Sequence, residues 1–95
     1  MAYDPSNVFA RILRGEIPAH KVHEDEHTLA FMDVMPQSEG HTLVIPKAAA
    51  ENIFELEPDA LAATILATQR VARAVQRAFD APGVMIAQLN GAARL

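Results

Sequence analysis

In the run "LAFMD", Phe31 and Asp33 stand two residues apart. On an extended segment such a pair points to one side, because side chains alternate across a strand. A ring beside a carboxylate suits a nucleoside: the ring stacks on or flanks the base, and the carboxylate accepts hydrogen bonds from two vicinal ribose hydroxyls. The plainer alternative is that Phe31 is core and Asp33 caps a strand end, and pattern alone favours it. The histidines are His20, His23, His27 and His41. His41, after Gly40, could touch a phosphate or a metal, although a structural hydrogen bond is the commoner role. His20, His23 and His27 lie among acidic residues as solvated groups. No pair of them has a ligand spacing with a third group, so no metal site is expected. "NGAA" offers an anion-contacting turn, since glycine lets backbone N–H groups approach a ligand. Lys47 after "VIP" could meet a phosphate, yet a lone lysine at a strand end is usually surface. No P-loop, G-x-S-x-G or dinucleotide fingerprint occurs.

These groups need elements to position them. "DPSNVFARILRG" predicts a short helix, with Asp4 or Ser6 as the cap and Gly15 as the left-handed stop. Val8, Phe9, Ile12 and Leu13 share one face at helical spacing. "HKVHE" and "TLAFMDV" read as two strands of a hairpin around "EDEH". In the second, Leu29, Phe31 and Asp33 face one way and Ala30, Met32 and Val34 the other. "MPQSEG" is loop, "HTLVIP" a third strand, and "VMIAQLN" a fourth. From Pro58 to Phe79 the pattern is helical, with Leu61, Ile65, Ala72, Val75 and Phe79 on one stripe. Ala67, Val71, Ala74 and Ala78 form a small-residue side, suited either to a second subunit or to close approach to the sheet. The fold class is α+β with an antiparallel sheet.

Composition narrows the function further. The 95 residues make one domain, 1–95, with 51% apolar residues for a core. A formal net charge of −4 and the lack of a basic stripe argue against a nucleic-acid partner. No run is long and apolar enough for a membrane span, so no membrane partner is expected. The absence of cysteine excludes disulfide and thiol chemistry and fits a cytoplasmic location.

The blocks "GEIP", "V-x-ED", "LAFMD", "P-Q" and "GHTLVIPK", followed by the long helix and "GVMIAQLNGAA", arrive in one order and spacing. Together they resemble the histidine triad (HIT) family, nearest its bacterial Hint-like branch, over nearly the whole chain. The resemblance implies a purine nucleotide pocket for an AMP- or GMP-like ligand. Phe9, Ile12, Phe31 and Val34 would surround the base, Asp33 would hold the ribose hydroxyls, and Asn90 would sit near the phosphate. It also implies a homodimer. In the family, "NGAA" leads through a glycine-rich loop into a last strand carrying H-x-H-x-H. Its middle histidine attacks the α-phosphorus of phosphoramidates or dinucleotides, and water then releases the nucleoside monophosphate. Here the sequence reads "NGAARL". The expectation is a HIT-like sheet with its last strand missing, no catalytic residue, and no hydrolysis by this polypeptide alone. The structural zinc of some members is not expected, because Asn7, Ala10 and Ala49 occupy its ligand positions; no cofactor is implied. Three readings follow: a shortened member of a nucleotide hydrolase and transferase family, a non-catalytic nucleotide-binding module, or an interaction module pairing its open sheet edge with a partner strand.

Overall fold

The computed structural model describes residues 3–32 and 40–91. Asp33, Val34, most of the loop that follows them, and Ala92 lie outside the described residues. The elements run α1 (Val8–Leu13), β1 (Lys21–Glu24), β2 (Thr28–Met32), β3 (Thr42–Pro46) and α2 (Pro58–Phe79).

Helix α1 starts one residue later than the sequence suggests. Its cap is Asn7, whose side-chain oxygen accepts from the Ala10 N–H at 2.9 Å. Asp4 is occupied instead with Ser6, accepting from its N–H at 2.9 Å and its hydroxyl at 2.7 Å. These two bonds hold the Asp4 carboxyl below its ordinary range. The helix ends as expected: Gly15 turns left-handed at φ 78°, its N–H meets the Ile12 carbonyl, and the Glu16 N–H meets that of Arg11. Both orphan carbonyls are thereby satisfied.

The three strands form an antiparallel sheet in the order β1-β2-β3. Leu29 lies opposite Ile45 and Phe31 opposite Leu43. One face thus carries Leu29, Phe31, Leu43 and Ile45, which pack with Ile12 and Leu13 of α1 and with Ile17 and Ala19. The other face carries Ala30 and meets α2. Both faces of β2 are covered, so Thr28 to Phe31 are all buried. Thr28, the buried polar residue among them, is hydrogen-bonded through its hydroxyl to Asp25.

Helix α2 carries proline in its first turn and ends at Asp80, left-handed at φ 47°. Asp59 in the first turn and Arg77 in the last complement the helix dipole. Ala67 and Val71 are its buried residues, whereas Ile65 and Leu66 stay more than half exposed. The small-residue side therefore packs inward at these two positions: short side chains let the helix lie close on the sheet. Close approach recurs at Gly40, at φ 81°, where an added Cβ would stand 2.9 Å from the Phe79 ring.

The fourth strand foreseen in "VMIAQLN" has no ladder. Residues 84–90 make no strand pairing among the described residues, and Met85 and Ile86 are exposed. The composition is that of a strand, but a strand exists only where a neighbour supplies hydrogen bonds. Across from this segment lies a cavity, not a partner.

Candidate functional site

The site is built from α1 and the covered face of β2. Helical spacing turns Phe9 and Ile12 toward the sheet, and strand alternation brings Phe31 up beneath them. The Phe9 and Phe31 rings stand 6.3 Å apart between centroids, tilted by 45°, within the range where aromatic pairs attract. Their burial differs: Phe31 is 4% exposed and Ile12 8%, both within the core, whereas Phe9 is 42% exposed. Of the two rings, Phe9 is the one open to a ligand, and Phe31 supports it from below.

Phe9 also edges a cavity of about 510 Å³ that wraps the outer edge of β3. Val44, Ile45 and Pro46 form one wall, Ile53 and Leu61 the end, and Gln88 and Leu89 the far side. Asn90 ties that far side in place. Its side-chain oxygen accepts from the Ile53 N–H at 2.9 Å, and its amide nitrogen donates to Gln88 at 2.7 Å. One amide hydrogen of Asn90 remains for another acceptor.

Of the expected base and ribose residues, Phe9, Ile12 and Phe31 are brought together, and Asn90 borders the adjoining cavity. Asp33 and Val34 fall outside the described residues. Sequence reading passed over Ile45, which lies on the Phe31 face and reaches the cavity. The alternation of "HTLVIP" carried that signal once its register against "TLAFM" was set. Ile53 and Leu89 were not legible in this way, because neither belongs to a paired element.

The charged groups of the hairpin serve one another. Lys47, 2.9 Å from Glu24 with Lys21 at 3.1 Å, holds the Glu24 carboxyl below its usual range. Arg14 does the same for Glu16 beside α1. Asp25 caps the turn: one oxygen accepts from the N–H groups of His27 and Thr28, both at 2.8 Å, and from the Thr28 hydroxyl at 2.9 Å. Its other oxygen lies 3.1 Å from the His23 ring. The bond from the His27 N–H leads these in holding Asp25 far below the ordinary carboxylate range. A carboxylate beside a histidine can orient a base, but among the described residues no hydroxyl nucleophile is bonded to His23. Neither do any three His, Cys, Asp or Glu side chains among them stand close enough to hold a metal ion.

Comparison with known proteins places this arrangement. The family model described as "HIT domain" matches residues 14–94. A Bacillus subtilis protein named protein hit is 40% identical over 84 residues, which are 88% of this chain and 58% of that protein. The chain thus spans less than two thirds of that relative's length. A HIT-like protein from Bartonella henselae, described as involved in cell-cycle regulation and crystallised with an unknown ligand, superposes with a TM-score of 0.94 at 47% identity. The match covers 96% of this chain and 70% of that one. A histidine triad nucleotide-binding protein from Sulfolobus tokodaii superposes at 0.86 with 35% identity, covering 90% of this chain and 57% of its own.

Proposed function

Since the chain belongs to the HIT family, we propose that it binds a purine nucleotide and works as a homodimer. The base lies against Phe9, with Ile12, Phe31 and Val34 around it, Asp33 holds the two ribose hydroxyls, and the phosphate end is directed toward Asn90. The observation that carries this reading is the Phe9–Phe31 pair: one ring buried and fixed, the other supported by it and open at the edge of a cavity. The nucleotide-binding name of the Sulfolobus tokodaii protein adds support.

The family reaction, hydrolysis or transfer at the α-phosphate of a purine nucleotide conjugate, is a separate matter. Covalent catalysis of that kind needs a nucleophile. His20 and His23 lie before or on β1, His27 in the hairpin turn, and His41 at the start of β3. None belongs to an H-x-H-x-H run. These 95 residues therefore bind nucleotide and do not turn it over.

Titration with AMP and GMP, followed by amide chemical shifts, tests the binding. The expected outcome is saturable binding that Asp33→Ala abolishes. No binding of either nucleotide at millimolar concentration overturns the reading.

A further inference from the structure

The outer edge of β3 carries backbone groups without partners. The Lys47 N–H donates to the His27 carbonyl at 2.8 Å, which makes that opposed pair a hydrogen-bonded one. Bonded and non-bonded pairs alternate along an antiparallel ladder. Leu43 and Ile45 therefore bond to β2, while Thr42, Val44 and Pro46 turn their backbone groups outward. Pro46 agrees with this, since its missing N–H falls on the unpaired side. The outward N–H and C=O groups of Thr42 and Val44 meet the cavity side, where the described residues supply no backbone partner.

The same chain holds a matching half. Residues 84–90 are extended, unpaired, and rich in strand-forming side chains, with Val84 43%, Met85 77% and Ile86 63% exposed. Within one copy these two halves cannot meet, because the cavity separates β3 from Gln88 and Leu89. We propose that they meet between two copies, with segment 84–90 of each adding as a strand to the β3 edge of the other. A reciprocal exchange is self-complementary and closes as a two-fold dimer. Strand addition to a free edge supplies main-chain hydrogen bonds as its affinity, and it removes the exposed edge that invites open-ended association. The inference rests on the homodimer proposed above only in requiring two copies, and nucleotide binding plays no part in it.

Amide hydrogen exchange by NMR, at micromolar and at millimolar protein, tests it together with light scattering. The expected result is a concentration-dependent dimer in which the Thr42 and Val44 amides gain at least about tenfold protection. A capped synthetic peptide with the sequence of residues 84–90 then dissociates the dimer and protects the same two amides. A monomer at millimolar concentration overturns both this inference and the homodimer. A dimer whose Thr42 and Val44 amides still exchange freely, for example one lost on Leu66→Glu and joined through the exposed face of α2, overturns this inference alone.

Discussion

Asp25 and the two phenylalanines show how one residue type takes different tasks from its surroundings. The Asp25 carboxylate accepts three hydrogen bonds from the hairpin turn, and these favour its charged form, so its pKa is depressed on folding. A depressed carboxyl contributes stability above its unfolded value, near 4, and loses it as pH falls through the folded value. Asp25→Ala should therefore be less stable than the parent at neutral pH in urea denaturation, with the gap narrowing steadily as the solution is acidified below about pH 4. A gap that stays constant down to the acid limit would assign the effect to backbone propensity instead. Phe9 and Phe31 should separate by the same logic. Phe31→Ala removes a core ring and should cost about 3–5 kcal/mol of stability. Phe9→Ala, at a half-open position, should leave the fold standing and weaken AMP binding by about 1–3 kcal/mol, the usual worth of a base–aromatic stack. Equal effects of the two substitutions on stability, with none on binding, would remove Phe9 from the site.

Among the elements, the contact between the start of β3 and the end of α2 fixes the layer spacing. Gly40 serves it twice, through a positive φ and through the space its missing Cβ leaves for Phe79. Gly40→Ala brings both strain and a clash and should lower stability by about 1–3 kcal/mol, read as a shifted urea midpoint. Pairing it with Phe79→Ala should recover the steric part and leave the backbone part, which a double-mutant cycle resolves. Helix α2 meets the sheet through Ala67 and Val71, and its larger apolar residues Ile65 and Leu66 point away. Both stripes satisfy the helical period, so periodicity alone does not say which packs inward. The distance at which the helix rests on the sheet decides it, and that distance is short because Ala30 faces it.

Across the whole molecule, the sheet stops at β3 and a cavity of about 510 Å³ follows. Loss of a general acid alone typically slows a reaction by ~10²–10⁴-fold, and without a nucleophile the covalent route is closed. Purified protein should release no nucleoside monophosphate from an adenosine phosphoramidate, and release that tracks the protein through repurification would contradict the expectation. The sequence by itself determined the short helix, the hairpin, the third strand, the long helix from Pro58 to Phe79 and the family, because each follows from local periodicity, turn chemistry or the order of short blocks. It also set Phe31 on the face of Leu29 through alternation. It did not determine that Asn7 rather than Asp4 caps α1, because Ser6 competes locally for the Asp4 carboxylate. Nor did it determine that Phe31 is sealed while Phe9 is open, that Asn90 bonds to Ile53, or that "VMIAQLN" lies unpaired. Those are properties of neighbours distant in the chain. A side chain's exposure and a strand's hydrogen bonds depend on what packs beside them, and only the tertiary structure decides that.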